Sequence, residues 1–416
     1  MEPSYEVIVI GGGPAGATVS TLLAQQGHRV LLLERSRFPR HHIGESLMPQ
    51  TYWTLQRLGM LPKLEQSPFP RKESVQFINA SGHESQPYYF TDRDPSAWSV
   101  TWQVRRDEFD RMMLDNAREH GVVVREGSAV KDVLFEGRRA VGVNTLVDGR
   151  AQTIGASVVV DATGVASLLS RQLDIREPDP ALKNAAIYAY FKNAKRDEGR
   201  NAGATLVIHT PDKQGWFWFI PLPDEINSIG VVAKPSYLFS GRGDDPRATL
   251  MEEIAQCPGI DRRVQGSERV SGAYVTSDFT YRAKSVAGDG WVLIGDAFGF
   301  LDPIYSSGVF IALKSGELAA DCIHQALTEG DCGGKRLGAF GPKLCAGLQL
   351  IRQLIYAFYT PSFSFGQFNR EYPQYHDHIV RLLIGDVFND DVGKVFDAMR
   401  GLVQLPAPVP LMESTA

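Results

Sequence analysis

The sequence predicts an α/β fold in which a nucleotide-binding parallel sheet is joined to a second β-sheet region and to a helical C-terminal region. Three observations lead to this prediction. A strand–turn–helix–strand unit opens the chain, residues 187–234 are rich in alternating apolar positions, and residues 331–402 mostly follow a helical pattern. Because a chain of 416 residues is too long for one small core, we expect one large domain or two interleaved ones.

The opening unit is a βαβ crossover with three glycines in its first turn. Apolar residues 6–10 and 29–33 are predicted to be parallel strands with a helix between them. Gly11 permits the tight turn, Gly13 lets the backbone approach a pyrophosphate, and Gly16 allows close packing of helix on strand. The pattern predicts dinucleotide binding, and the alternative is a glycine-rich turn without a ligand.

The ends of this unit supply further candidate contacts. Pro14 and Ala15 belong to the turn of residues 11–16, just before the helix predicted from Ala17 to Gln26, whose N-terminus presents amide donors and the positive end of the helix dipole. Glu34 closes the second strand, where a carboxylate can accept hydrogen bonds from ribose hydroxyls, and Arg35 follows it. We therefore predict that these four residues join the three glycines in holding the dinucleotide.

A second unusual feature is the segment Gly-Trp-Phe-Trp-Phe-Ile-Pro, which carries more bulky apolar surface than a single strand needs. Alternation places Trp216, Trp218 and Ile220 on one face and Phe217 and Phe219 on the other. Such a strand is either a core strand buried on both faces or the wall of a pocket. The composition of the segment leaves both interpretations open.

These patterns divide the chain into three parts. Residues 1–330 are predicted to form the nucleotide-binding module, to which residues 71–104 and 183–283 contribute a second sheet that roofs a substrate pocket. Residues 331–402 form the helical C-terminal region. Residues 403–416 are Pro-rich, and we expect them to be a flexible tail.

Composition excludes several classes of protein. Hydrophobic residues make up 43% and charged residues 22% of the chain, as in an ordinary globular protein. The net charge of −5 gives no overall attraction to nucleic acid or to an anionic membrane. We expect no signal peptide and no membrane span, because neither a basic leader with an apolar stretch nor a run of about eighteen apolar residues is present.

The cysteines and histidines indicate a reducing compartment and no metal centre. Four cysteines, at positions 257, 322, 332 and 345, show no metal-type pairing and are predicted to be free thiols in the cytoplasm. His376 and His378 have metal-like spacing but lack a third ligand nearby, so a solvated helix face is the preferred interpretation.

Two further motifs suggest which dinucleotide binds. Asp296 ends the apolar strand Trp-Val-Leu-Ile-Gly-Asp, where its carboxylate suits a ribityl or ribose hydroxyl; the alternative is a helix N-cap. Arg106 lies just before a predicted helix, near the expected pyrophosphate; the alternative is a surface charge cluster. With the glycine turn, these elements resemble the single-domain flavoprotein monooxygenase superfamily, which is p-hydroxybenzoate-hydroxylase-like and binds FAD.

Within that superfamily the chain resembles the flavin-dependent halogenases over nearly all its length. The family pattern WxWxIP appears from Trp216 to Pro221, and its Gly-Glu-Ser appears as residues 44–46. Its loop beside the flavin appears as Asp-Pro-Ile-Tyr-Ser-Ser-Gly at 302–308, and its catalytic lysine falls on Lys72. The closest likeness is to the branch acting on pyrroles and phenols, often tethered to a carrier protein.

The resemblance implies a mechanism. Reduced FAD and oxygen give a flavin hydroperoxide, chloride or bromide attacks it to form hypohalous acid, and Lys72 directs the halogen by a hydrogen bond or as a haloamine. It also implies that Ser46 and Gly308 contact the cofactor and that Ser307 and Gly308 bind the halide. Trp216, Trp218 and Tyr305 would then line the substrate channel. Tyr305 stands where the free-tryptophan branch carries a glutamate, so a glutamate-assisted mechanism is not expected here.

The partners follow from the same resemblance. The sequence has no second glycine-rich βαβ unit and hence no nicotinamide domain, so a separate flavin reductase is expected to supply FADH2. The substrate is expected to be a small aromatic, free or on an acyl or peptidyl carrier protein. Three other functions stay open: an FAD-dependent aromatic hydroxylase, a reductase of isoprenoid double bonds, and a flavin-binding regulator without turnover.

Overall fold

A computed structural model describes residues 5–147, 149–277, 280–389 and 391–410. Its strands are β1 (Tyr5–Ile10), β2 (Val30–Glu34), β3 (Arg71–Lys72), β4 (Ser74–Ile78), β5 (Tyr88–Tyr89), β6 (Thr101–Trp102), β7 (Val123–Glu126), β8 (Ser128–Glu136), β9 (Arg139–Val147), β10 (Arg150–Asp161), β11 (Arg176–Pro178), β12 (Ala185–Lys192), β13 (Thr205–His209), β14 (Gly215–Pro221), β15 (Ile226–Ala233), β16 (Glu268–Arg269), β17 (Tyr274–Ser277), β18 (Tyr281–Ala283), β19 (Ala287–Gly288), β20 (Trp291–Leu293) and β21 (Gly299–Phe300).

Fourteen α-helices lie within the described residues. They are α1 (Pro14–Gln25), α2 (Thr51–Arg57), α3 (Leu61–Glu65), α4 (Arg106–Glu119), α5 (Leu168–Gln172), α6 (Pro235–Phe239), α7 (Pro246–Gln256), α8 (Pro258–Val264), α9 (Ser307–Glu329), α10 (Gly334–Leu337), α11 (Gly341–Tyr359), α12 (Phe365–Glu371), α13 (His376–Ile384) and α14 (Val395–Met399). None of the helices in the described part of the chain is long and apolar enough to cross a membrane.

The first sheet is the predicted nucleotide-binding sheet. Its strands run in the order β19-β20-β10-β1-β2-β7, and the strands from β20 to β7 are parallel. The α/β fold class and the opening βαβ unit are therefore confirmed. The carboxyl ends of β1, β2 and β20 meet at one edge, which is where ligands bind in sheets of this kind. β9 pairs with the first half of β10 as an antiparallel extension, and β8 pairs in turn with β9.

The second sheet has the order β16-β12-β15-β14-β13-β4-β5, with β17 pairing β12. Strands from residues 71–104 and 183–283 thus share one sheet, although β3 and β6 pair separately as a two-stranded ribbon. Helices α6, α7 and α8 cover the outer face of this sheet, and its inner face looks toward the first sheet. The cavity described below lies between the two sheets.

The two faces of β14 enter two different cores. Phe217 and Phe219 pack with Leu250 and Ile254 of α7, in a core of their own. Trp216 and Trp218 belong to the main core, on the cavity side. β14 is therefore buried on both faces, and its tryptophan face also forms a wall of the cavity. Both interpretations of this segment are thus partly correct.

The C-terminal region is mostly helical, from α10 to α14. Residues 403–410 have no helix or strand, but their carbonyls are held by side chains of the body of the protein. Arg282 donates to the carbonyls of Val409 and Pro410 at 2.7 Å each, and Arg352 donates to that of Ala407 at 2.9 Å. The rest of the predicted tail, residues 411–416, lies outside the described residues.

Candidate active site

A single cavity of about 1010 Å³ runs from the glycine turn to the tryptophan strand. This volume lies at the upper end of the range for small-molecule and cofactor sites. One end is lined by Gly11, Gly13 and Glu34, and the other by Trp216 and Trp218. The residues predicted to bind a dinucleotide and those predicted to line a channel therefore share one continuous space.

The three glycines of the turn have different roles. Gly11 has φ +107°, and a Cβ there would collide with the carbonyl of Ala162. A Cβ on Gly16 would collide with the carbonyl of Gly11, so this glycine allows α1 to pack on the turn. Gly13 has an ordinary φ of −73°, and a Cβ there would meet only the Arg40 guanidinium, at 3.4 Å. Among the three, Gly13 alone has no steric need for glycine within the protein, which leaves a ligand as the reason.

Glu34 holds the turn as well as facing the cavity. Its Oε2 accepts a hydrogen bond from the Gly12 amide at 2.7 Å, and its Oε1 accepts one from the Ser36 amide at 2.8 Å. A carboxylate has about four acceptor sites, so two remain for ribose hydroxyls. Arg35 lines the cavity beside it and is exposed.

Arg106, a predicted cofactor contact, makes its hydrogen bonds within the protein. Its side chain lines the cavity, but Asp110 accepts from Nε at 2.7 Å and from Nη2 at 3.0 Å, and the Ile43 carbonyl accepts from Nη1 at 2.6 Å. Arg106 therefore mainly fixes the backbone of residues 43–44 against α4. The sequence reasoning missed Arg40, which lines the cavity beside Gly13 and stands 3.5 Å from Asp110. The only sequence signal for it is the basic run from Arg35 to Arg40.

Asp296 brings a half-buried carboxyl to the cavity. It follows β20, in a short turn at the edge where the parallel strands end. Burial raises the pKa of its carboxyl to about 7, and the nearby Arg106 guanidinium acts in the opposite direction. A desolvated carboxyl needs a polar partner, and hydroxyl groups of a bound ligand would provide one. The glycine turn, the N-terminus of α1 and this carboxyl together fit FAD.

Glu45 is a second acid that the sequence reasoning did not single out, although it named the Gly-Glu-Ser motif. It lines the cavity and accepts a hydrogen bond from the Tyr190 hydroxyl through Oε1 at 2.7 Å. Burial raises the pKa of its carboxyl to about 7, against the effect of the Ser228 and Tyr190 hydroxyls. The segment that carries it also carries Ser46, so one strap brings both side chains to the cavity.

Lys72 lies in β3 and is only 4% exposed. Its Nζ donates to Ser46 Oγ at 2.9 Å and to the Leu47 carbonyl at 3.0 Å. Burial lowers the pKa of this ammonium to about 7. Ser46 lines the cavity, whereas Lys72 lies directly behind it.

Ser46, a predicted cofactor contact, lies in the cavity lining. Besides Lys72, its hydroxyl hydrogen-bonds Thr205 Oγ1 at 2.7 Å. The Ser46 hydroxyl thus bonds both to Lys72 and to Thr205 of the second sheet.

The predicted channel residues divide into two groups. The indole rings of Trp216 and Trp218 line the cavity with their centroids 6.2 Å apart. Trp216 Nε1 donates to the Tyr359 hydroxyl at 2.8 Å, and Trp218 Nε1 donates to Ser228 Oγ at 3.1 Å. Tyr305 departs from the prediction, because it lies outside the cavity lining, and its hydroxyl donates to the Leu354 carbonyl at 3.2 Å.

The halide turn, residues 303–308, contains the predicted halide-binding residues Ser307 and Gly308 and reaches the cavity. Ser306 has a left-handed φ of 57° and precedes α9, which begins at Ser307. Ser306 and Gly308 line the cavity, whereas Ser307 is buried behind it. The N-terminal turns of α1 and α9 both face the same space, so it receives two positive helix ends.

This arrangement defines the class of protein, an FAD-binding α/β flavoprotein. A family model described as an FAD binding domain matches residues 4–329. No group of three or more His, Cys, Asp or Glu side chains that could hold a metal occurs among the residues that the structure describes.

Comparison with known proteins then gives the family. The chain is 34% identical to a 1H-pyrrole-2-carbonyl-[peptidyl-carrier protein] brominase of Pseudoalteromonas luteoviolacea, over 96% of this chain and 97% of that one. It is 33% identical to the corresponding chlorinase of Pseudomonas fluorescens, over 96% and 93% of the two chains. The chain belongs to the flavin-dependent halogenases.

Solved structures agree with this assignment. The flavin-dependent brominase Bmp2 superposes with a TM-score of 0.86 at 30% identity, covering 96% of this chain and 98% of that one. The myxobacterial chondrochloren halogenase CndH superposes with a TM-score of 0.80 at 34% identity, covering 93% and 91%. The protein is therefore an FAD-dependent halogenating enzyme, which sets aside the hydroxylase, the reductase and the inactive regulator.

Proposed function

We propose that this enzyme attaches chlorine or bromine to an electron-rich pyrrole or phenol presented on a carrier protein, with FADH2 supplied by a separate reductase and Lys72 directing the halogen. The observation that carries the proposal is the single cavity that joins the nucleotide turn to Ser46, behind which Lys72 lies. The names of the two relatives support the choice of substrate, since both act on a pyrrole-2-carbonyl group held by a peptidyl carrier protein.

The nucleotide end of the cavity would hold FAD. Gly13 and the N-terminus of α1 would meet the pyrophosphate, Glu34 the adenosine ribose, and Asp296 a hydroxyl of the ribityl chain. Bound FADH2 supplies the electrons that reduce oxygen, and halide is oxidised to hypohalous acid in the same exchange. The N-terminal turn of α9, at Ser307 and Gly308, would hold the halide through backbone amides and the helix dipole.

Lys72 would act on hypohalous acid when that acid reaches Ser46. As the ring carbon takes the halogen, the oxygen–halogen bond breaks, and the oxygen leaves as water if it gains a proton. A donor with a pKa of about 7 is well matched to this transfer at neutral pH. The proton lost by the ring restores the balance, so halogenation consumes hypohalous acid and releases water.

Trp216 and Trp218, here called the tryptophan wall, would separate the formation of hypohalous acid from the halogenation of the ring. Trp216 and Trp218 line the end of the cavity that lies away from the glycine turn, with their ring centroids 6.2 Å apart. A small acid can pass such a wall, whereas an aromatic ring held beyond it would not reach the cofactor. Direct oxygen transfer to the ring is then excluded by distance, which favours halogenation over hydroxylation on the same scaffold.

The preference for a carrier-bound substrate is tested by comparing the carrier-bound pyrrole with the free one. Pyrrole-2-carbonyl groups loaded on a carrier protein, free pyrrole-2-carboxylate and a simple phenol are each incubated with enzyme, FADH2, oxygen and bromide. We expect the carrier-bound ring to be brominated at least about tenfold faster than the free acid, because tethering raises the effective concentration. Mass spectrometry of the intact carrier and of the small molecules reads the bromine isotope pattern.

The outcomes separate the parts of this proposal. Equal rates for the bound and free ring would remove the carrier protein from the proposal and leave the aromatic class. Bromination of the phenol alone would mean that the substrate is a phenol and not a pyrrole. A carrier loaded with an acetyl group is the matched control and should gain no bromine.

A second prediction concerns the source of electrons. The part of the chain that the structure describes has one glycine-marked βαβ unit, which the proposal assigns to FAD. The isolated enzyme with FAD, substrate, bromide and NADH should therefore oxidise NADH no faster than free FAD does. Adding a flavin reductase should restore product formation, as should chemically reduced FAD. Rapid NADH oxidation on addition of substrate alone would contradict the separate reductase.

A further inference from the structure

A buried carboxylate lies at the start of the predicted halide turn. Asp302 is 1% exposed and comes directly before the short helical turn of residues 303–305. Its Oδ1 accepts a hydrogen bond from the Ile304 amide at 3.1 Å. Its Oδ2 accepts one from Asn184 Nδ2 at 3.1 Å and one from the Tyr359 hydroxyl at 2.9 Å. Three separate segments of the chain therefore converge on one carboxyl group.

The same hydrogen bonds lead to the tryptophan wall. The Tyr359 hydroxyl accepts a hydrogen bond from Trp216 Nε1 at 2.8 Å while it donates to Asp302. The chain Trp216–Tyr359–Asp302–Ile304 thus connects β14 with the turn before α9. Trp218 takes no part in it, because its indole donates to Ser228 instead. Phenylalanine at position 216 could not take part in this network, because it has no N–H to donate.

Because the Asp302 carboxyl is buried, its charged form needs the hydrogen-bond donors that surround it. Burial raises the pKa of its carboxyl to about 6, while the hydrogen bonds from Ile304, Asn184 and Tyr359 and the positive charge of Lys234 act to lower it. The group is therefore mainly ionised at neutral pH, in a place that water does not reach. A buried carboxylate that loses a donor is costly, so the surrounding backbone adjusts until the donors are regained.

The turn that Asp302 holds is strained and functional. Ser306 adopts a left-handed φ of 57°, which non-glycine residues rarely adopt without support from their surroundings. Ser306 and Gly308 line the cavity, whereas Asp302 and Tyr359 do not. Asp302 therefore does not contact a bound anion, and its hydrogen bonds act on the site through the conformation of this turn.

We propose that Asp302 is a positioning residue for the halide site: linked through Tyr359 to Trp216, it fixes residues 303–308 so that the first amides of α9 point at a chloride or bromide ion. The proposal rests on the halide site assigned above to Ser307 and Gly308. It adds that halide affinity depends on two residues, Tyr359 and Trp216, that do not belong to the halide turn.

The test measures halide binding without turnover. The oxidised, FAD-loaded enzyme is titrated with bromide, and the change in flavin fluorescence gives the Kd of bromide. Tyr359→Phe removes the hydroxyl that joins Trp216 to Asp302, and we expect it to raise this Kd about tenfold, the effect of losing one hydrogen bond to a charged group. The Kd of FAD should stay at the wild-type value, because the network lies away from the nucleotide end, whereas the Tm should fall by a few degrees, because the buried Asp302 carboxylate loses a donor.

Tyr356→Phe is the matched control. Tyr356 lies on the same helix, α11, and its hydroxyl also donates to a carboxylate, that of Asp179, at 3.0 Å. Because Asp179 does not contact the turn, this variant should bind bromide as the wild type does. Trp216→Phe cuts the chain at its other end, and the double variant Trp216→Phe/Tyr359→Phe should bind bromide no more weakly than the weaker of the two single variants.

The outcomes are distinct. A wild-type bromide Kd in both Tyr359→Phe and Trp216→Phe would overturn the positioning role and leave the halide site standing. A fall in FAD affinity that parallels the loss of bromide would also overturn it, since the network would then be a general support of the fold. If the wild-type enzyme shows no saturable bromide binding, the halide site fails and the positioning role fails with it. Should Tyr359→Phe not fold, Trp216→Phe decides alone.

Discussion

Replacing Lys72 with methionine is expected to lower the rate of halogenation by at least about a hundredfold, the usual contribution of a positioned proton donor. Methionine has a similar length and fits an apolar site, so the variant removes the ammonium and leaves the packing. Lys72 lies behind Ser46 and outside the cavity lining. Oxygen consumption by the FADH2-loaded variant should therefore match that of the wild type, and hypohalous acid should escape.

The measurement pairs an oxygen electrode with product analysis. Lys63→Met is the matched control, since Lys63 is also a lysine but pairs with Glu119 on a partly exposed surface. This control should halogenate at the wild-type rate. A Lys72→Met enzyme that halogenates at the wild-type rate would remove Lys72 from the mechanism.

The stability of the same variant has a defined pH dependence. The Lys72 pKa is about 7 in the folded protein and about 10.4 in an unfolded chain. Between these values the unfolded state binds more protons, so the contribution of this group to stability rises with pH across that window. Lys72→Met should lose this dependence and should be no less stable than the wild type near pH 7. A variant that unfolds more readily there would show that the ammonium has a structural role.

Gly13→Ala should weaken FAD binding by at least about a hundredfold, because the added methyl group would stand where the pyrophosphate approaches the backbone. Within the protein the substitution is nearly neutral. Gly13 has an ordinary φ, and its new Cβ would meet only the flexible end of Arg40 at 3.4 Å. The Tm of the FAD-free variant should therefore equal that of the FAD-free wild type. Gly16→Ala is a poor test by comparison, since its Cβ would collide with the Gly11 carbonyl and disturb the fold.

Equilibrium titration of FAD into the apo-protein checks this result. Gly243→Ala is the control, because a Cβ at Gly243 has open space around it and the backbone there is unstrained. An unchanged Kd of FAD in Gly13→Ala would show that the pyrophosphate is bound elsewhere.

The local parts of the site could be predicted from the sequence. The glycine turn, α1 and Glu34 lie within one βαβ unit, so their contacts depend on spacing along the chain and on φ values that only glycine tolerates. The alternation within β14 likewise gave the correct face for Trp216 and Trp218, because side chains alternate along any strand.

The contacts between distant segments could not be predicted in this way. Lys72 meets Ser46 and Leu47 because the β3–β6 ribbon lies beside the strap of residues 44–47, and no local pattern encodes that pairing. The hydrogen bond from Arg106 to the Ile43 carbonyl is of the same kind, since nothing in the segment of Arg106 shows that this carbonyl would be nearby.

The same limit applies to the network around Asp302. It joins β14, α11 and the halide turn, and the residues involved are far apart in sequence. Tyr305 was placed in the channel from the likeness of its loop, whereas the structure turns its hydroxyl toward the Leu354 carbonyl.

In the proposed reaction, hypohalous acid stays inside the protein and reaches the ring only by way of Lys72. Competition with a scavenger tests it most directly: enzyme, FADH2, oxygen, bromide and the carrier-bound pyrrole react with and without excess monochlorodimedone, and both bromination products are quantified. We expect the wild type to give the same yield of brominated pyrrole with or without the scavenger, and Lys72→Met to brominate only the scavenger. Loss of the wild-type pyrrole product when the scavenger is present would mean that the acid is released into solution and that Lys72 does not direct it inside the protein.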